Sequence, residues 1–180
     1  MVVNEKLNLS DKQKSDGKLS VNKKLNVNEN PNMNKKKPMG RAAKRHQARF
    51  FLVQASYQFQ LAHTPIHELI AQFQVEHGEA SADWPFFSEA IKFIVNNLEE
   101  VDKVYQSFLD RDINRLDPIE KSILRLGAYE LTERQDIPYR VSINEAVELA
   151  KIFGATDSHR YINGIMDKIS RNVRALERTS

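Results

Sequence analysis

The sequence predicts an all-α protein, on three observations. From Arg41 onward, apolar residues recur at helical spacings. Helix-starting residues stand ahead of several of these runs. No segment shows a convincing alternation of period two. We therefore expect a compact bundle of about seven helices within residues 39–180, preceded by a segment of different character.

That segment, residues 1–38, is rich in Asn, Lys and Ser with single apolar residues scattered through it. Such a composition cannot bury enough apolar surface to offset the entropy of ordering, so it reads as a disordered tail closed by Pro38 and Gly40. The first helix opens at Arg41 and meets no proline before Pro65, with Ala48, Leu52, Ala55 and Phe59 as its buried stripe. A second occupies "IHELIAQFQVEH" and stops at Gly78. The third opens at "DWPFF" with Asp83 as N-cap, runs to about Asn97, and bends there before "EEVDKVYQSFL".

"LDPIEKSILRLGAYELTE" starts with Asp117 as N-cap, Pro118 at the first helical position and Glu120 at the third, a capping-box arrangement. Its apolar arc is broad enough for packing on two sides, and Gly127 within it points to a close helix contact, since glycine there costs about 1 kcal/mol. "VSINEAVELAKIFG" repeats the capping device with Ser142 and Glu145 and ends at Gly154. The last helix, "DSHRYINGIMDKISRNVRAL", carries Ile162, Ile165, Met166, Ile169 and Val173 on one face.

Charge is unevenly distributed. Residues 1–40 carry +5, from nine lysines against four acids, and residues 41–180 carry −2, from 18 bases against 20 acids. Within the latter, Arg41, Lys44, Arg45 and Arg49 hold +4, leaving −6 beyond Arg49. An acidic body with one basic edge suits a polyanion held at one place.

The absence of cysteine excludes disulfides, thiol catalysis and cysteine zinc sites. No apolar run approaches the roughly 18 residues of a membrane span, and the first residues lack a signal peptide's apolar core. A cytoplasmic protein is expected. The five histidines form no ligand set; Thr64-Pro65 separates His63 from His67. The six glycines are too scattered for a phosphate-binding loop, and no nucleophile stands with a base. We expect no catalytic residues, no metal and no cofactor.

Extended backward, the apolar stripe of the first helix runs into Arg45 and Arg41. Two readings stand on the residues alone. The cationic end is a solvated helix terminus, or it projects past the core and tracks a phosphate backbone, with Arg41, Arg45 and Arg49 recurring every four residues beside Lys44. His46 adds a group whose charge depends on pH near neutrality. Phe50, Phe51, Tyr57 and Phe59 point around most of the helix, so they pack on a second helical layer or leave an aromatic edge for a protein or a base. Tyr161 falls a quarter turn off the final apolar stripe, at a rim suited to stacking, and Arg160 points away from the core. Asp157 stands at that helix's N-cap position.

"PYRVSINEAVELAKIFGATDSHRYINGIMDK", Pro138 to Lys168, closely resembles the C-terminal hallmark of the NusB family of bacterial transcription antitermination factors. "LDPIEKSILRLGAYEL" and "VQASYQFQL" match in the same order, and the likeness spans about residues 41–176. The resemblance implies two packed helical subdomains. It also implies an adaptor that joins NusE, a small ribosomal subunit protein, on the single-stranded boxA element of nascent RNA, within an RNA polymerase complex that reads through terminators in ribosomal RNA operons. The family's arginine-rich RNA-binding start falls on Arg41, Lys44, Arg45, His46 and Arg49, although His46 and Gln47 stand where relatives often carry arginines. The second RNA-contacting region falls on Asp157, Arg160 and Tyr161, with Arg160 and Tyr161 in place of the more usual Lys and Phe. Tyr57 and Glu120 fall on the NusE-facing surface. Two rivals are a helical protein-interaction scaffold without specific RNA binding and the RNA-binding appendage of an rRNA cytosine methyltransferase, for whose catalytic domain this chain has no room.

Overall fold

The structure is a computed structural model that describes residues 39–179. The disordered tail expected over 1–38 lies outside the described residues. Eight helices follow in order: α1 Arg41–Ala62, α2 Ile66–His77, α3 Trp84–Asn96, α4 Leu98–Gln106, α5 Pro118–Glu133, α6 Tyr139–Phe153, α7 Ser158–Val173 and the short α8 Ala175–Thr179. No strand occurs among the described residues, and no described helix is long and apolar enough to cross a membrane.

Local chemistry accounts for four of the helix ends. Asp83 caps α3 by accepting the Phe86 N–H at 3.2 Å, and Asp117 caps α5 by accepting the Ile119 N–H at 2.8 Å. Gly78 ends α2 at φ +78°, where a side chain would be strained. Gly154 ends α6 at φ −82°, so left-handed freedom is not its role there. Space is: a Cβ on Gly154 would stand 2.6 Å from the Ala150 carbonyl oxygen and 2.8 Å from Ser158 Cβ.

Two caps differ from expectation. α6 begins at Tyr139, so Ser142 lies inside the helix, buried, and does not cap it; Glu177 accepts the Tyr139 N–H instead at 3.0 Å. Glu120 closes no capping box, because its carboxylate accepts the Ser158 hydroxyl at 2.7 Å and joins the start of α5 to that of α7.

α5 runs through the middle of the bundle, buried from Ser122 to Leu131. α1 lies antiparallel to it: Arg49 meets Glu130 near the end of α5, and Gln60 meets Pro118 and Ser122 at its start. On one side of α1, α2 and α3 enclose an aromatic group in which Phe51 stacks on His77 at 4.0 Å and on Trp84 at 5.7 Å. On the other, α4, α6 and α7 pack on α5 through residues such as Tyr105, Leu149, Ile162, Ile165 and Ile169.

The close contact expected at Gly127 is present, since a Cβ there would fall 2.4 Å from the buried Met166 thioether. Val173 departs from the final apolar stripe and is 40% exposed. The chain turns there to bury Arg174, which donates to the carbonyls of Leu131, Glu130 and Arg134 at 2.7, 3.1 and 2.8 Å and closes the end of α5.

Candidate nucleic-acid interface

The four cations at the start of α1 have different surroundings. Arg41 is exposed and Lys44 half-buried, and no carboxylate pairs with either among the described residues. The Lys44 carbonyl accepts the Asp83 N–H at 3.0 Å, which fastens the start of α3 to this turn. Arg45 donates to Asp83 at 2.9 Å while its guanidinium lies 4.1 Å from the centre of the Phe86 ring. Burial pushes the Asp83 carboxyl up, but the Phe86 N–H and Arg45 outweigh it and hold the group below the usual carboxylate range.

Arg49 overturns part of the expectation. It is 3% exposed, gives Nε to Glu130 at 2.6 Å and a second N–H at 3.3 Å, and stands 3.6 Å from Glu145. The four-residue ladder fails because each step rotates about 40° around an α-helix, so two steps turn Arg49 roughly 80° from Arg41. By Arg49 that rotation has reached α5 and α6, and a buried guanidinium there requires a partner. Glu130, 1% exposed, is that partner. Arg49 is held in the core, and its charge is met by Glu130 rather than presented at the surface.

His46 stays at the surface, with its side chain 41% exposed and Nδ1 2.7 Å from Glu145 Oε2. Between α1 and the start of α6 lies an open cleft of about 440 Å³. Arg41, Arg45 and Arg49 of α1 line it together with Asp136, Ile137 and Pro138 ahead of α6 and Val141 and Glu145 within α6.

The second region is at the start of α7. Asp157 adopts φ 70°, its side chain caps no N–H, and it lies 3.3 Å from the exposed Arg160. Tyr161 is half-buried; its hydroxyl donates to Asp110 at 3.0 Å, and the Arg111 guanidinium sits 4.8 Å over its ring. Burial and Asp110 push the Tyr161 hydroxyl up, while Arg111 draws Asp110 down to about 2. Asp110 and Arg111 were not legible as site residues, because they stand in the loop between α4 and α5 where no periodicity marks them.

The two regions do not come together. The start of α1 lies at the C-terminal end of α5 and the start of α7 at its N-terminal end. The 16 residues of α5 span about 24 Å, so a polynucleotide touching both must extend along the body. Tyr57 is 36% exposed on the later half of α1 and borders a cleft of about 450 Å³ that Ile119, the neighbour of Glu120, also lines. Of the other aromatics, Phe51 is core and Phe50 packs on Phe153 at 4.6 Å.

The NusB family profile matches residues 46–171. The chain belongs to the NusB family. It is 47% identical over 135 residues to the transcription antitermination protein NusB of Hydrogenovibrio crunogenus, covering 75% of this chain and 84% of the relative. It is 45% identical over 133 residues to that of Alcanivorax borkumensis, covering 74% and 89%. Among solved structures, NusB of T. maritima aligns with TM-score 0.65 and 28% identity over 76% of this chain and 97% of its own. A structure of NusB and NusE in complex with dsRNA aligns at 0.63 and 24% identity over 71% and 96%, which places this chain in the same fold. The helical NusB architecture expected from the sequence is therefore present, with α8 as an additional short turn.

Proposed function

We propose that this chain is a transcription antitermination factor, a binding protein without catalysis, that joins NusE on single-stranded boxA-type RNA and helps RNA polymerase read through ribosomal RNA operons in the cytoplasm. The observation that carries the reading is the pair Arg41 and Lys44, cations at the start of α1 without a carboxylate partner among the described residues, with Arg41 and Arg45 also lining the cleft beside α6. Its relatives bear the name transcription antitermination protein, and a chain of the same fold assembles with NusE and dsRNA.

In this reading residues 39–180 are the functional unit and 1–38 a tail. Arg41, Lys44 and the exposed parts of Arg45 and His46 supply phosphate contacts, which give affinity without sequence choice. Tyr161, backed by Arg111, offers a ring edge for a base, with Arg160 and Asp157 beside it. Tyr57 and Glu120 lie toward the NusE side.

Fluorescence titration of a boxA RNA and a scrambled RNA, with and without NusE, tests the proposal. Binding should prefer boxA and tighten with NusE, and Tyr161→Ala should weaken it by about 1–3 kcal/mol. A protein that binds NusE but neither RNA is the helical scaffold instead.

A further inference from the structure

One contact at the cationic end bears on what that end can hold. His46 Nδ1 lies 2.7 Å from Glu145 Oε2. A carboxylate only accepts hydrogen bonds, so Nδ1 carries the proton and the neutral ring keeps its lone pair on Nε2. Nε2 has no protein partner among the described residues, and the side chain is 41% exposed. A phosphate oxygen is also only an acceptor. Against the neutral ring it would meet a lone pair; against the imidazolium it would receive an N–H.

Charged groups from three helices surround the contact. Glu145 on α6 faces the ring, and Arg49 on α1 stands 3.6 Å from the same carboxylate. Glu130 on α5 pairs with Arg49 at 2.6 Å. Arg45, next in the chain, is turned to Asp83. A phosphate arriving at Nε2 adds the second negative charge that the ring lacks.

From this geometry we infer that Glu145 is the positioning residue for His46, and that phosphate binding at this end of the protein takes up one proton. The inference rests on the RNA-binding reading above and deepens it: boxA-type RNA is held more tightly in mildly acidic solution, through one imidazole whose inner nitrogen is committed to α6. By linkage, the contribution is complete below the free protein's histidine titration and is lost as pH rises through the higher value of the complex.

Two measurements test it. In the free protein at about pH 8, above the ordinary histidine range, ¹⁵N NMR of the His46 ring should show the proton on Nδ1. Glu145→Gln should move the population toward Nε2–H. A wild-type ring protonated on Nε2 overturns the inference without any RNA present.

In the second, RNA affinity is measured across the histidine range. The wild type should lose up to about tenfold per pH unit between the free and bound titrations. His46→Gln should lose that dependence, and His46→Arg should bind without it. A pH profile that persists in His46→Gln belongs to another group, His159 on α7 included, and overturns the inference. Arg41→Ala with Lys44→Ala separates the two levels. RNA affinity indifferent to that pair defeats the RNA-binding reading, whereas affinity that needs the pair but keeps its profile in His46→Gln defeats the proton linkage alone.

Discussion

The first and third turns of α1 carry the same residue type to opposite fates. Arg41 is exposed and no carboxylate pairs with it among the described residues; Arg49 is 3% exposed and joined to Glu130 by two hydrogen bonds. Arg45 is intermediate, paired with Asp83 and laid over Phe86. Of the +4 that the helix start carries, two charges are met internally by Asp83 and Glu130. Charge counted along a helix therefore overstates the charge it presents, because the helix rotates part of that charge into the core.

The largest expected effect is at the inner end. Arg49→Ala leaves Glu130 buried without its partner and should cost about 3–5 kcal/mol in urea denaturation. Replacing both partners by apolar residues, Arg49→Met with Glu130→Leu, should recover most of that loss. An Arg49→Ala protein of unchanged stability would show that the arginine is not held inside.

Arg45→Ala should lie between the extremes. It loses a partly exposed ion pair and a cation–π contact, together about 1–2 kcal/mol, with a modest drop in RNA affinity. A cost as large as that of Arg49→Ala would erase the gradient along α1.

The smallest effect concerns acid. Asp83 is held below the ordinary carboxylate range in the folded state, so its contribution is complete above the unfolded value and fades as pH falls through the folded one. Thermal melts of Asp83→Asn should therefore lose part of the stability decline that the wild type shows below about pH 4. Identical declines in both proteins would remove Asp83 as a contributor.

Much of the fold was legible because the signals were local. Proline and glycine marked the bounds of α2, and Asp83 and Asp117 stand at the caps where the sequence places them. Gly127 pointed to a close packing partner, and the thioether of Met166 lies there. What failed depended on distant residues. Ser142 resembles an N-cap, but Glu177, from the end of the chain, serves α6 instead. Glu120 fits a capping box locally and bonds to Ser158 across the bundle.

At the site, residue types were readable and their directions were not. Arg41, Arg45 and Arg49 are equivalent as letters four apart, and only the placement of α5 and α6 separates the outward one from the inward one. Asp110 and Arg111 were invisible for a related reason, since a loop residue acquires its role from the helix it meets, here at Tyr161.

The most direct test is the salt dependence of boxA RNA binding in the Arg41→Ala, Lys44→Ala double variant beside the wild type. With two phosphate contacts removed, the log–log slope should become shallower by about 1.4, at about 0.7 per phosphate on a single strand. Thermal stability should stay within about 0.5 kcal/mol of the wild type, as for surface changes in general. An unaltered slope in a folded double variant would contradict the account.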